Sequence, residues 1–253
     1  MKKNLLFLLA FICLFTVACS KDNGGGLDRN SVIYYSSSDG KIIEPYLTDY
    51  AIFGARIKSI TDSAIIFDAP VTSIGGRAFY NCTTLVSVSI PASVTSIGEY
   101  AFCRCQSLIE ATIPENVTWI GEYAFYRCRE LENVVIPDGV TSIRDCAFAD
   151  CVSLKSITIP DGVTSIGKAA FDSTYLESIT IGSGVTSIGV YAFANSGRDV
   201  KVYCKPTTPP TGNEGMFFGC GSAKFYVPRN SVDAYKSAEY WSDWADNIEG
   251  YDF

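Results

Sequence analysis

Phe79, Phe102, Phe125, Phe148 and Phe171 stand 23 residues apart, and Cys82, Cys105, Cys128 and Cys151 keep the same step, as do Pro91, Pro114, Pro137 and Pro160. A strict period of this length defines a solenoid, because a unit so short buries its apolar face only by stacking on its neighbours. That architecture removes most enzyme readings. It does not name a ligand.

Within one unit, Leu108, Ala111 and Ile113 follow an L-x-x-φ-x-φ spacing, with the marked positions turned inward on a short parallel strand of leucine-rich-repeat type. Leu85, Val88 and Ile90 repeat it, as do Leu131, Val134 and Ile136, then Leu154, Ile157 and Ile159, then Leu176, Ile179 and Ile181. Proline ends the strands because it cannot donate to a ladder. Pro137-Asp138-Gly139 and Pro160-Asp161-Gly162 supply turn chemistry. Val-Thr-Ser-Ile at 71, 94, 140, 163 and 185, and Val-Thr-Trp-Ile at 117, give a second short extended piece. Glycine then opens a compact turn, read as a short helical one, that inserts Ala-Phe into the core. The expected fold is an α/β solenoid: a leucine-rich repeat domain of about six 23-residue repeats with a parallel β-sheet, short helical turns and a cap at each end.

The boundaries follow. Residues 1–18 read as a signal peptide, with Lys2 and Lys3 ahead of an apolar run from Leu5 to Val17 that is too short to span a bilayer comfortably. Thr16-Val17-Ala18-Cys19 resembles a bacterial lipobox, which implies acylation of Cys19 and loss of everything before it. Residues 19–30, with Gly24-Gly25-Gly26, form a flexible tether. Their Ser-Lys-Asp opening resembles that of surface lipoproteins of the Bacteroides group. Residues 31–67 make an N-terminal cap, 68–197 the repeats, and 198–253 a C-terminal capping segment. In that last segment Asn230 or Ser231 caps a helix holding Val232, Tyr235, Trp241, Trp244 and Ile248, and the tryptophan pair is read as a lid over the last repeat.

Composition narrows the function. The mature chain has 18 basic and 27 acidic residues, a net charge of −9. It is a poor candidate for nucleic acid, which needs a basic footprint. The sequence contains no histidine, which excludes histidine-based acid–base catalysis, Ser-His and Cys-His pairs and histidine metal sites. Walker loops, GxGxxG and CxxC are also missing. No cofactor and no enzymatic activity is expected.

The combined pattern of six Val-Thr-x-Ile copies with a following Ala-Phe, the last shifted to a 22-residue step at Phe193, resembles the bacterial surface leucine-rich repeat family called BspA-like. Asn30 to Gly40 resembles the lead-in strand of these proteins, and Tyr226 to Tyr235 with Trp241 and Trp244 their closing segment. The resemblance implies an outer-membrane, surface-exposed lipoprotein that binds an extracellular protein or glycan. Its cysteine precedes the strand rather than following it, unlike longer eukaryotic repeats.

Side chains of a parallel stack point the same way, so the cysteine ladder is a poor metal site. It is read as buried free thiols acting as small hydrophobes. Cys103 and Cys146 fall off the ladder, and Cys204 and Cys220 are the pair to test for a disulfide. Two outward rows carry any binding face: Ser87, Glu110, Asn133, Ser156 and Ser178, then Ser89, Thr112, Val135, Thr158 and Thr180. Trp119 breaks a serine row (Ser73, Ser96, Ser142, Ser165, Ser187), either as a binding hot spot or as a packing residue. Tyr100 and Tyr123 share a flank. The candidate binding residues are therefore Trp119, Tyr100, Tyr123, Glu110 and Asn133. Contact is expected over an open face, without an aromatic-lined cleft. Adhesin and glycan-capturing accessory lipoprotein are the two functional readings.

Overall fold

The computed structural model describes residues 28–45 and 50–253. The signal peptide, Cys19 and the tether up to residue 27 lie outside the described residues. β1 (Val32–Ser37), a helical turn (Tyr50–Phe53), β2 (Ile57–Ile60) and β3 (Ala64–Phe67) come first. The repeats contribute β4 (Ser73–Ile74), β5 (Leu85–Ser89), β6 (Ser96–Ile97), β7 (Glu110–Thr112), β8 (Trp119–Ile120), β9 (Ser142–Ile143), β10 (Ser156–Ile159), β11 (Ser165–Ile166), β12 (Ser178–Ile181) and β13 (Ser187–Ile188). β14 (Lys201–Cys204), β15 (Lys224–Pro228), a helix (Val232–Ser237) and β16 (Ile248–Tyr251) close the chain.

Each coil of this parallel-strand solenoid has three sides: a longer strand, a short strand and a run of turns. Successive coils pair one repeat apart, Ser73 with Ser96, Ser96 with Trp119, and Ser87 with Glu110. In-register stacking superimposes like on like, so the periodic phenylalanine becomes a column. Phe79, Phe102, Phe125, Phe148, Phe171, Phe193 and Phe217 stack with centroids 5.2–5.4 Å apart and planes within 12° of parallel. All are fully buried. Phe217 extends the column beyond the repeats recognised from sequence, with Met216 standing where the others have alanine.

Among the described residues the turn side of the repeats contains no helix, unlike the expected short helical turn. Two slots per coil hold residues other than glycine in the left-handed region: Arg77, Tyr100, Tyr123, Cys146, Ala169 and Tyr191 in the first, and Asn81, Arg104, Arg127, Asp150, Ser173 and Asn195 in the second. A left-handed residue costs about 1–2 kcal/mol. The offset is a third ladder of backbone bonds, in which Arg77, Phe79 and Asn81 donate to Glu99, Ala101 and Cys103 of the next coil at 2.7–2.9 Å. A helix would turn those donors back on itself.

The cysteine column is also more than apolar filling. Cys105, Cys128 and Cys151 Sγ donate to the carbonyls of Phe79, Phe102 and Phe125 at 3.0, 3.1 and 3.2 Å. The same column continues through Thr174, Ser196 and Cys220, and these donate to Phe171 O at 2.8 and 3.3 Å and to Phe193 O at 3.2 Å. Every one is a small side chain with a hydrogen to give. Cys204 and Cys220 are both free thiols, Cys204 lying at the end of β14.

A glycine column lies at the coil-to-coil contact. A Cβ on Gly98, Gly121 or Gly189 would come within 2.6–2.7 Å of the backbone of the preceding coil. Arg144 occupies this position in one coil. The ladder opens there: Gly98, Gly121, Gly167 and Gly189 each donate to the isoleucine carbonyl of the coil before at 2.7–2.8 Å, and Thr95, Thr118 and Thr164 donate to the preceding threonine at 2.9–3.0 Å, whereas Arg144 and Thr141 make neither bond. β8 and β9 consequently lie in separate three-stranded sheets. On the longer-strand side, residues 131–136 keep the bridge Glu110–Asn133 and the bond from Glu132 N to Ile109 O at 3.2 Å but form no strand, and β7 and β10 also lie in separate sheets. The turn side stays bonded, Phe125 N to Ala147 O at 2.8 Å and Arg127 N to Ala149 O at 2.9 Å.

Both ends are covered. β1 pairs antiparallel with β5 and β3, closing the edge of the first repeat. At the other end β14, β15 and β16 extend the sheet of β10 and β12. The closing helix stops at Ser237, so Ile248 lies in a strand rather than on that helix, and Ser231 spends its hydroxyl on Thr207 O at 2.7 Å instead of capping. Trp241 is fully buried against Phe217, Phe225 and Tyr235 and donates to Pro210 O at 2.9 Å.

Candidate functional site

The five residues singled out from sequence fall in three places. Tyr100 and Tyr123, in the left-handed slot of adjacent coils, stack with centroids 4.8 Å apart and planes 1° from parallel. Arg77 lies 5.4 Å from the Tyr100 ring, and Tyr126 meets Tyr123 edge-on at 5.7 Å. Arg127 covers Tyr126 at 5.0 Å and pairs with Asp150 at 3.0 Å. The Tyr123 phenol is pushed up to about 12, chiefly by its hydrogen bond with Cys146. This flank is a self-satisfied ladder of rings and guanidinium groups.

Glu110 and Asn133 are bridge partners with exposed side chains on the longer-strand side. Trp119 lies on the short-strand side and is 42% exposed. Its ring carries the Arg144 guanidinium 4.1 Å from its centroid. The two departures from repeat consensus, serine to tryptophan and glycine to arginine, are thus one interaction between neighbouring coils. Arg144 Nε is buried without a hydrogen-bond partner, and the ring face offsets part of that cost. Among the described residues no ring contact joins Trp119 to Tyr100 or Tyr123.

An aromatic-lined cleft is present after all, where the last regular coil meets the closing segment. Tyr191, Asn213, Glu214, Met216, Phe218, Tyr240, Asp243 and Trp244 are among its walls, around a volume of about 360 Å³. The left-handed slot that stacks tyrosines elsewhere holds Gly215 here, at φ 64°. A side chain at that position would collide with the Tyr191 ring, which lies over it. Phe218, 64% exposed, meets Tyr191 edge-on at 6.2 Å. Tyr240, another wall residue, is itself left-handed at φ 63°. Sequence reading missed the cleft because its walls come from residues 191, 213–218 and 240–244, which meet only in the fold. The one available signal was Met216-Phe217, 24 residues after Ala192-Phe193.

The remaining chemistry is quiet. Burial pushes the Cys105, Cys128, Cys151 and Cys204 thiols well up, and those of Cys82 and Cys220 to about 11. Among the described residues no group of three or more cysteines and carboxylates is placed to hold a metal ion.

Comparison with known proteins agrees with this geometry. Residues 72–198 and 120–238 match the BspA type leucine rich repeat region, in 6 copies. A leucine rich cell surface protein of Faecalibacterium prausnitzii A2-165 superposes with a TM-score of 0.57 at 29% identity, over 83% of this chain and 56% of that one. The chain therefore spans little more than half the length of that relative. The leucine rich repeat protein of T. pallidum superposes with a TM-score of 0.55 at 28% identity, over 68% of this chain and 81% of its own. The pneumococcal vaccine antigen PcpA shares the fold, with a TM-score of 0.51 at 21% identity, over 71% of this chain and 42% of that one. None of the curated proteins compared matches the chain. By its repeats, their period and their stacking, the chain belongs to the BspA-type leucine-rich repeat family.

Proposed function

We propose that this chain is a cell-surface binding module, an adhesin or recognition scaffold anchored through lipidated Cys19, that holds a macromolecule of a host or neighbouring cell without transforming it. One observation carries the reading. The longer-strand side presents an outward row, Ser36, Ser87, Glu110 and Asn133, then Ser156, Ser178, Lys201 and Lys224, that runs along both five-stranded sheets. Such a row is long, shallow and polar, which suits a large partner better than an enclosed small molecule. Surface display is supported by the cell-surface description of the Faecalibacterium relative and by the lipobox resemblance at Cys19. Modest affinity per molecule would be raised by many anchored copies acting together.

The test is an array of extracellular-matrix proteins and defined oligosaccharides probed with the purified protein. Saturable binding to a matrix protein is the expected result. Binding to oligosaccharides alone would replace the adhesin with a glycan-capturing accessory lipoprotein, and catalytic turnover of any arrayed compound would overturn the reading altogether.

A further inference from the structure

We propose that the cleft between the last regular coil and the closing segment binds an arginine side chain of the partner protein. The inference deepens the binding-module reading and rests on it. The walls hold two carboxylates, Glu214 and Asp243, and neither forms a salt bridge among the described residues. Asn213 is the one carboxamide there, and its Nδ2 is already donated to Ile188 O at 2.8 Å. Both carboxylates are exposed, and the charged groups of the lining are acceptors only. Arginine is the complementary side chain, with five donors in a planar fork and no acceptor.

The rings suit the same group. Tyr191, Phe218, Tyr240 and Trp244 line the cleft, and a guanidinium stacks on aromatic faces while its edge reaches carboxylates. The chain already uses this pairing three times internally, Arg77 on Tyr100, Arg127 on Tyr126 and Arg144 on Trp119. In the cleft the rings are present and no arginine or lysine is among the walls. A sugar brings acceptors as well as donors, whereas the charged groups of this lining accept only. The volume of about 360 Å³ lies at the small end of ligand cavities and leaves room for a guanidinium with its stem. The net charge of −9 on the mature chain, from 18 basic and 27 acidic residues, draws basic partners over distance.

The fold holds this opening in place. Gly215 lets the Tyr191 ring lie over the backbone, and a Cβ on Gly212 would come within 3.2 Å of Tyr240 Cβ. Tyr240 remains in a left-handed conformation that bulky residues rarely adopt.

The experiment uses the full chain in detergent micelles with three probes: the peptide acetyl-Gly-Arg-Gly-amide, its glutamine counterpart, and maltohexaose. Saturation-transfer NMR and tryptophan fluorescence report binding. The arginine peptide should saturate, the glutamine peptide should not, and Glu214→Gln with Asp243→Asn should weaken arginine binding at least tenfold at unchanged circular dichroism. Phe218→Ala, at a ring that is largely exposed, should also weaken it. Absence of saturable arginine binding, equal affinity in the charge-neutral variant, or preference for maltohexaose would overturn the proposal. A matrix protein bound equally well by the charge-neutral variant would also overturn the cleft assignment while leaving the module reading standing. Arginine-peptide binding without any ligand on the array would uphold the cleft and defeat the module.

Discussion

The Trp119–Arg144 pair can be taken apart by a double-mutant cycle. Trp119→Ser alone removes the ring beneath a half-buried guanidinium whose Nε has no hydrogen-bond partner. A cation–π contact is worth about 0.5–1 kcal/mol when exposed and about 2 when desolvated, so this variant should lose about 1–2 kcal/mol. Arg144→Gly also loses the contact, but it restores the residue type that lets coils approach. Two backbone bonds missing at this level, Thr141 N to Thr118 O and the amide of residue 144 to Ile120 O, then become available. At about 0.5–1.5 kcal/mol net each, they should leave the variant at least as stable as the parent. In that background Trp119→Ser merely restores the serine row and should change stability by less than about 0.5 kcal/mol. The coupling energy is then about 1 kcal/mol. Urea denaturation of the four proteins, compared by midpoint at common slope, measures it. Hydrogen exchange supplies a second readout, because the Thr141 amide should gain protection in Arg144→Gly. Additivity within about 0.3 kcal/mol, together with an unprotected Thr141 amide, would refute the account of the opened ladder.

Phe125→Ala, at the middle of the ring column, should cost about 3–5 kcal/mol and loosen both neighbouring coils, as read by denaturation and by exchange of flanking amides. Cys128→Ser should be tolerated better than Cys128→Val, since serine keeps the donor to Phe102 O and valine removes it, although valine is the more apolar; relative melting temperatures decide this. The thiol pKa values give a pH dependence. Those of Cys82 and Cys220 rise in the fold from 9.0 to about 11, so the unfolded chain loses these protons first, and the stabilisation, complete below pH 9, should fall as pH climbs through the window between the two values. Stability that holds constant between pH 9 and 11 would contradict the burial of these thiols. Finally, Cys19→Ala should shift the protein out of the membrane fraction, and normal membrane fractionation of that variant would remove the lipid anchor from the proposal.

The phenylalanine period carried the stack, because in-register pairing converts equal spacing along the chain into superposition in space. The strand motif was legible for the same reason, and Trp241 as a lid because a solenoid end demands one. The left-handed turns were not legible. Tyrosine, arginine, cysteine and alanine hold the first slot, and although the second includes Asn81, Asp150 and Asn195, whose types tolerate that region, Arg104, Arg127 and Ser173 share it, so the bonds to the next coil explain the conformation throughout. The cysteine column was read by residue identity, so Thr174 and Ser196 were passed over; the shared property was the hydrogen each donates. Trp119 was noticed as an exception in the serine row, while Arg144, the exception in the glycine column, supplied its reason. Tyr100 and Tyr123 met as their spacing implied, but Glu110 and Asn133 lay on another side, since each side of the coil looks in its own direction.

Near-identical copies carry a hazard of their own. A chain whose units look alike can stack out of order by one whole unit, at little loss of burial, and the column of rings would not object. Arg144 objects. Slipped by one coil, its side chain would press against a partner whose short strand begins with serine rather than tryptophan, leaving a half-buried guanidinium with neither ring nor acceptor. The pair therefore works as an index mark, distinguishing the third coil from its siblings and rejecting chains assembled one notch away. It also fixes how repeat number can change over generations: removal of the unit carrying Trp119 alone would strand its arginine, so the two adjoining units are most easily lost or gained together.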